Sequence, residues 1–369
     1  MANIKTKMCG MTFPNPIWTA AGPASADANL LNQAAEGGAG ALVTKTISVK
    51  KARVPIPNIH SVFSGTLMNA ELWSEMDYLK FIHDELTQIK DKSKKIIVSV
   101  GYSPEDLMVL GKELNRARIA DAVEFSIHYI EKDAENLKRT AAALKDNLDI
   151  PVLAKLSPSI QDLESVIQVL DPLVDGFVAI NSVGPALDFD IETGKPFLGS
   201  SDGRGWISGG AILPIGLHFV AQISELTTKP IIGVGGIRSA KDVIKYIMAG
   251  ASAVQICSLA ILKGQKIYGE IADQLSDWMD IHDYPNVDSL KNTLDRSASK
   301  TPFYLKQGPQ LHPKLIDERC THCMKCERSC LHRAIHFDGN DFTLDKSRCV
   351  SCGLCASICP TSAIILESI

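Results

Sequence analysis

The sequence predicts an α/β chain: a (β/α)8 TIM barrel, then a small cysteine-rich α+β domain. Three observations predict it. Short apolar runs alternate eight times with amphipathic stretches from residue 17 to about 260. Strand–helix units of this kind close into a barrel, with an open doubly wound sheet as the alternative. A glycine cluster follows the seventh run, where barrels commonly hold a phosphate. Eight of the ten cysteines fall in the last fifty residues.

Strands are expected at Ile17–Ala21, Ala41–Thr46, Lys95–Val100, Ala122–Ile127, Pro151–Leu156, Gly176–Asn181, Pro230–Val234 and Ala253–Cys257. Each is short and apolar. Helices are expected at Ala28–Glu36, Met76–Ile89, Pro104–Arg116, Asp133–Asn147, Ile160–Leu170, Ile212–Leu226, Ser239–Ala249 and Lys263–Met279. Barrel active sites lie where the strands end, so the segments there carry the functional reading. Two of them are long, Ser48–Trp73 and Ser182–Ile207. The second contains Gly194, Gly199, Gly203 and Gly205 and reads as a mobile cover. A polar connector, roughly Asp280–Pro313, leads onward. The expected domains are residues 1–300 and 301–369.

Composition excludes several classes. The chain has 369 residues, 45% hydrophobic and 22% charged, with a formal net charge of −4. That balance lacks the basic face a nucleic acid calls for. No apolar run approaches the roughly 18 residues of a membrane span, and the N-terminus lacks the apolar core of a signal peptide. The expected location is the cytoplasm, with the cysteines as metal ligands rather than disulfides.

The cysteines form two runs, Cys320-x-x-Cys323-x-x-Cys326-x-x-x-Cys330 and Cys349-x-x-Cys352-x-x-Cys355-x-x-x-Cys359-Pro360. Doubled runs with this spacing are the bacterial ferredoxin pattern for two [4Fe–4S] clusters, in which the fourth cysteine of each run ligates the other cluster. One cluster would use Cys320, Cys323, Cys326 and Cys359. The other would use Cys349, Cys352, Cys355 and Cys330. Structural zinc also accepts paired Cys-x-x-Cys, but two runs of four with this internal spacing speak against it. Cys330 is followed by Leu331 where the second run has proline, which makes its cluster the one to check first.

At the other end of the chemistry, Gly233-Val-Gly235-Gly236 ends the seventh strand, and Gln255-Ile-Cys257-Ser258 ends the eighth. Glycines let backbone N–H groups approach a phosphate. Lys45 and Lys155 end the second and fifth strands. A buried lysine needs an anionic partner, and the N1/O2 edge of a reduced flavin is one. The ordinary alternative is a lysine reaching out to solvent.

These residues bring a family into view. The chain resembles the dihydroorotate dehydrogenase superfamily, and within it the FMN and iron–sulfur half of dihydropyrimidine dehydrogenase. The matching segments include Asn15-Pro-Ile-Trp-Thr-Ala-Ala-Gly22, Val43-Thr-Lys-Thr46, Asn69-Ala-Glu-Leu-Trp-Ser-Glu75, Ala154-Lys-Leu-Ser-Pro158, Ala179-Ile-Asn-Ser-Val183 and Ser208-Gly-Gly-Ala-Ile-Leu-Pro214. The resemblance implies FMN in the barrel mouth. Ala20 and Ala21 would line its ring, Lys45 and Lys155 would contact the isoalloxazine and ribityl region, and Gly209, Gly235, Gly236, Cys257 and Ser258 would hold the ribityl chain and phosphate. Asn69 and Asn181 match asparagines that hydrogen-bond a pyrimidine, with Ser182 beside them. Family members are often dimers, though no obligate interface is legible here.

The fourth strand departs from the family. Its end there reads Asn-x-Ser-Cys-Pro, and the cysteine moves a proton at the substrate. This chain reads Glu124-Phe-Ser126-Ile-His128-Tyr129. An ungapped alignment puts Ser126 at the substrate asparagine and Tyr129 at the catalytic cysteine; aligning the serine instead puts Ile127 at the cysteine, but needs a two-residue deletion inside a buried strand. A phenol with pKa near 10 gives a proton more readily than it takes one, which suits reduction of an activated C=C bond. His128 is a second donor candidate, but neighbours on a strand point opposite ways. With no nicotinamide-binding fingerprint in the chain, electrons are expected from a ferredoxin or a separate NAD(P)H-oxidising flavoprotein subunit. They would pass through the clusters to FMN and a small unsaturated substrate. The alternative is a non-catalytic electron-transfer or scaffold subunit of a larger redox complex.

Overall fold

In a computed structural model of the chain, which describes residues 2–127, 133–295 and 310–368, contacts divide the protein between Leu294 and Asp295. The large unit holds eight parallel strands: β1 (Ile17–Thr19), β2 (Ala41–Val43), β3 (Lys95–Val100), β4 (Ala122–Ser126), β5 (Val152–Leu156), β6 (Gly176–Ala179), β7 (Ile231–Val234) and β8 (Ala253–Ile256). They are hydrogen-bonded in the order β1-β8-β7-β6-β5-β4-β3-β2. This is a nearly closed barrel with its seam between β1 and β2. The Thr19 hydroxyl bridges that seam, donating to the Val43 carbonyl at 2.8 Å and accepting from the Val43 N–H at 2.6 Å.

Period-two alternation sorts the strand side chains into two cores. One joins Trp18, Val43, Ile97, Leu153, Val178 and Ile232. The other packs Ile17, Leu42, Val98, Phe125, Phe177 and Val254 with the helices. An N-terminal hairpin, Thr6–Met8 with Met11–Phe13, feeds Met8 and Phe13 into the first core. Its two-residue turn is Cys9-Gly10, both at positive φ, as such turns require. The Phe13 and Trp18 rings lie 4.4 Å apart.

The structure departs from expectation in four places. Met76–Ile89 is not one helix. It is a helical turn at Tyr78–Lys80, a wide turn at Phe81–Glu85 and a tight one at Leu86–Gln88. The Thr87 hydroxyl donates to the carbonyls of His83 and Asp84, competing with regular helix bonding. Glu85 instead accepts from the N–H of Ala28 at 2.9 Å. The helix expected over Lys263–Met279 starts later and runs Ile267–Ile281; Lys263 instead ends a separate helix, Ser258–Lys263, closed by Gly264 at φ +85°. Part of the expected connector belongs to the barrel. Asn286 caps a short helix, Val287–Leu290, whose two end residues are buried in the core.

The fourth departure shapes the site. The two long segments are not irregular throughout. They pair into a four-stranded antiparallel sheet in the order Val183–Leu187, Arg204–Gly209, Thr66–Asn69, Ile59–Phe63. Trp206 stands opposite Asn69, and Gly209 opposite Thr66. A Cβ at Gly205 would run into the Asn69 carbonyl, so the ladder needs glycine there.

In the small unit, Leu311–Leu315 pairs with Ile364–Ser368 and Ile335–Asp338 with Asp341–Leu344, both antiparallel. Two single-turn helices, Lys325–Arg328 and Leu354–Ser357, follow the second cysteine of each run. No helix among the described residues is long and apolar enough to cross a membrane.

Replacing Thr19 with valine keeps the shape of the seam but leaves the Val43 N–H and carbonyl without their hydroxyl partner. The expected cost is roughly 1–3 kcal/mol, read as a lower urea midpoint with an unchanged slope. Stability equal to the parent chain would mean that packing alone carries the closure.

Candidate active site

The alternation that fills the barrel with apolar side chains continues to the strand ends, but there it delivers polar ones. On β4, Ala122 is followed on the same face by Glu124 and Ser126. On β5, Leu153 is followed by Lys155, and on β8, Ala253 by Gln255. All are buried, Glu124 completely. Lys155 Nζ lies 3.2 Å from Glu124 Oε1, and Gln255 Nε2 donates to Glu124 Oε2 at 2.6 Å. The carboxylate fixes the amide's orientation, since Nε2 must face an acceptor. Gln255 Oε1 is left buried with no hydrogen-bond partner. Glu124 Oε1 also makes no well-angled hydrogen bond, so its approach to Lys155 is an ion pair of charge rather than direction.

Above this layer opens a cleft of about 1280 Å³, counting its mouth. Ala20, Ala21, Lys45, Asn69, Ser126, Lys155, Asn181, Ser182, Gly209, Gly235, Gly236, Cys257 and Ser258 all line it. The fold therefore brings together every described residue that the sequence pointed to for flavin and substrate. His128 and Tyr129 lie outside the described residues.

Neither lysine waits for a ligand to balance its charge. Lys155 has Glu124, and Lys45 Nζ is 2.7 Å from Glu71 Oε2, whose other oxygen accepts from Asn58 Nδ2. Asn69 is oriented twice, donating from Nδ2 to the Trp206 carbonyl at 3.2 Å and accepting on Oδ1 from the Glu71 N–H at 3.2 Å. Asn181 Oδ1 accepts from the Ser182 N–H at 2.8 Å, and its Nδ2 reaches Ser126 Oγ at 3.5 Å.

At the β7–β8 end of the cleft the glycines have a structural cause. Gly235 and Gly236 sit at φ +116° and +75°, and a Cβ on Gly236 would run into the Leu213 backbone. The buried Tyr246 hydroxyl donates toward the Val234 and Gly235 carbonyls, at 3.1 and 2.7 Å. Neither Gly235 nor Gly236 donates a backbone hydrogen bond among the described residues, which leaves two N–H groups for an anion. Ser258 Oγ meets Ser208 Oγ at 2.9 Å. Burial pushes the Cys257 thiol pKa up. The thiol fills the space that a Cβ on Gly22 would need.

Sequence reasoning missed Glu71, Gln255, Tyr102, Trp206 and Ser208 as lining residues. Gln255 was legible, lying two residues before Cys257 on an alternating strand. Trp206 and Ser208 were not, because only the remote strand pairing brings them to the mouth.

In the small unit, Cys320, Cys323, Cys326 and Cys359 line one cavity. Cys330, Cys349, Cys352 and Cys355 line another. The fourth cysteine of each run thus joins the first three of the other. The runs are one motif used twice, 29 residues apart (320 to 349, 330 to 359). Positive φ recurs at His322 and Ser351, Met324 and Gly353, Arg333 and Ser362. The N–H of Ala334 donates to Cys330 Sγ at 3.3 Å, as that of Ala363 does to Cys359 Sγ at 3.2 Å. Leu331 therefore stands where Pro360 stands without changing the local backbone. The Lys325 backbone N–H holds the Cys323 thiol below its ordinary range, while burial raises Cys326 and Cys355.

A barrel mouth with an anion-ready glycine turn, joined to two four-thiol cavities, defines a flavin and iron–sulfur oxidoreductase. The chain belongs to the dihydroorotate dehydrogenase family. The model described as dihydroorotate dehydrogenase matches residues 3–279, and one described as a 4Fe-4S dicluster domain matches residues 319–363. Three proteins named dihydroorotate dehydrogenase B (NAD(+)), catalytic subunit, are similar to it. That of Methanocaldococcus jannaschii is 34% identical over 289 residues, covering 74% of this chain and 92% of its own length. That of Pyrococcus furiosus is 32% identical, covering 78% and 97%, and that of Thermoplasma volcanium 31%, covering 79% and 98%. The chain is accordingly a flavin-dependent enzyme acting on a CH–CH bond.

Removing Glu124 strands a buried ammonium. Glu124→Ala is expected to destabilise the barrel by roughly 3–5 kcal/mol, measured by urea denaturation. A loss under about 1 kcal/mol would mean that Lys155 finds another partner.

Proposed function

We propose that the chain binds FMN in the barrel mouth, carries two [4Fe–4S] clusters, and reduces an activated C=C bond in a small pyrimidine-like ring. One observation carries this reading. The described residues expected around flavin and substrate line a single cleft, and the eight cysteines divide four and four between two others.

The residues fit the groups. The free N–H groups at Gly235 and Gly236, with Gly209, Ser258 and Cys257, suit a phosphate and ribityl chain. The unpartnered Gln255 Oε1 suits an N–H donor of the ring system. Lys155 and Lys45, held by Glu124 and Glu71, present fixed positive charge beside Ala20 and Ala21. The four thiols of each cavity come from two runs of four with ferredoxin spacing, which suits a polynuclear cluster better than one zinc ion. The clusters follow the crosswise sets, Cys320, Cys323, Cys326 and Cys359, then Cys349, Cys352, Cys355 and Cys330.

When bound, FMN supplies hydride exchange with one carbon of the substrate bond. The chain supplies the rest. Asn69, Asn181, Ser182 and the Glu71 carboxylate offer both donors and acceptors, which suits a ring with alternating N–H and C=O groups. Ser126 stands at the family's substrate asparagine. Tyr129 gives a proton to the second carbon, with His128 as the second candidate. Electrons reach the clusters from a ferredoxin or from a partner flavoprotein subunit. The family relationship and the complete lining of the cleft favour this over a non-catalytic relay.

Two measurements test it. Anaerobically purified protein is expected to hold about eight iron atoms per chain, and Cys330→Ala about half of that. An unchanged iron content would remove Cys330 from the ligand set. Tyr129→Phe is expected to lower turnover of uracil-type and orotate-type substrates by about 100-fold or more, with dithionite still bleaching the flavin at the parent rate. Equal turnover would exclude the phenol as donor.

A further inference from the structure

The repeat in the small unit relates its two thiol cavities position by position. Thr321 and His322 in the first correspond to Val350 and Ser351 in the second, and Thr361 and Ala363 to His332 and Ala334. Each of these residues lines its own cavity. Exposure does not separate the two thiol sets. Cys323 and Cys352 are exposed, and the other six are half-buried. Hydrogen bonding to the sulfurs does separate them. In the first set the N–H of His322 donates to Cys320 Sγ at 3.4 Å and that of Ala363 to Cys359 Sγ at 3.2 Å, while Thr361 Oγ1 lies 3.7 Å from Cys359 Sγ. In the second set the counterpart among the described residues is a single bond, from the Ala334 N–H to Cys330 Sγ at 3.3 Å. Beside Cys323, the Thr321 hydroxyl assists the Lys325 N–H in holding the sulfur's negative form. Val350 has no donor to offer at that place. The first cavity also keeps His322 Nδ1 buried and without a partner.

The shared backbone does not require these hydroxyls, because the second cavity is built on the same turns without them. We propose that the two clusters have unequal reduction potentials, the higher belonging to the one held by Cys320, Cys323, Cys326 and Cys359, and that the Thr361 and Thr321 hydroxyls set the gap. This rests on the cluster reading above. An added electron makes a cluster more negative, so donors aimed at its ligand sulfurs stabilise the reduced state and raise the potential. A ligating cysteine is a thiolate with no proton to give, so Thr361 is the donor in its contact. An electron that arrives at either cluster therefore comes to rest on the first. It leaves a reduced second cluster and enters an oxidised first one. No bond forms or breaks and no proton moves.

The test uses the full chain, purified anaerobically and titrated with dithionite through redox mediators, with the reduced clusters followed by electron paramagnetic resonance. The parent protein is expected to reduce in two separate one-electron steps. Thr321→Val/Thr361→Val is expected to lower the upper step alone. The equilibrium constant for electron sharing between the clusters should fall about tenfold, which is about 59 mV for one electron. Thr321→Ser/Thr361→Ser keeps both hydroxyls and should hold both steps where the parent has them. Val350→Thr, at a position 58% exposed, should raise the lower step alone and narrow the gap. Coincident potentials in the parent protein overturn the proposal. So does a valine double variant with its full iron content that moves the lower step or neither. If that variant loses iron, Val350→Thr decides, and a lower step that stays in place overturns the proposal. Full iron with coincident potentials sinks only the inequality between the clusters. Purified protein with no iron–sulfur chromophore at all sinks the cluster reading itself.

Discussion

A carboxylate with no solvent exposure sits at the floor of the cleft, and the rest of the site is arranged about it. Glu124 holds Lys155 through charge and Gln255 through a hydrogen bond. Burying such a group costs several kcal/mol, which a single pairing only partly offsets. Hydrophobic residues of similar volume would stabilise a barrel at least as well. The charged layer is thus poorly explained by stability and well explained by chemistry above it. It fixes an ammonium and an amide oxygen at defined points under the cleft. Because three strands contribute, their registers must agree before the layer can form, and the parallel ladders that link them set that agreement.

The walls of the cleft obey a different constraint. Asn69 and Gly209 come from segments far apart in sequence, yet they lie on adjacent strands of the sheet that the two long connections build. The Trp206 carbonyl orients the Asn69 amide across that ladder. Ser208, two residues further along, meets Ser258 at the other end of the cleft. A single element therefore links the phosphate end of the proposed flavin site to the proposed substrate end. Such a wall is stiffer than a loop, because its backbone groups are paired rather than solvated.

The eight barrel strands were legible because each is a short apolar run, and the helices because most carry an apolar stripe between a cap and a stop. What escaped notice depended on distant partners. The excursion sheet has no local signature, since glycines and polar residues interrupt Ser182–Ile207 and its ladder partner lies over a hundred residues away. The break at Thr87 turns on a hydroxyl taking carbonyls, a competition that helical periodicity does not reveal. Lys45 and Lys155 were legible as strand-end lysines, but the carboxylates that pair with them were not. Glu71 and Glu124 already supply the counter-charge, and pairs between separate elements cannot be read from spacing. Cys320 through Cys359 show the opposite case, where spacing alone predicted which thiols share a cavity.

The relatives bear on why the cysteine runs are attached at all. About three-quarters of this chain accounts for 92–98% of each relative's length, so little of those proteins remains to match the C-terminal runs. A catalytic barrel that receives electrons from elsewhere needs a relay, and covalent attachment gives that relay a high effective concentration at no cost in affinity. Attachment also frees the relay's surface from holding the barrel. The surface residues of each half can then vary, provided both keep the backbone that the thiols require. Leu331 tests that proviso within the sequence. Proline would fix φ after the last cysteine, yet Arg333 and Ser362 reach the same left-handed conformation two residues later. The N–H groups of Ala334 and Ala363 also meet their sulfurs at nearly the same distance. The turn after each run is set by these later residues, which leaves position 331 open to variation and the ligand geometry at Cys330 intact.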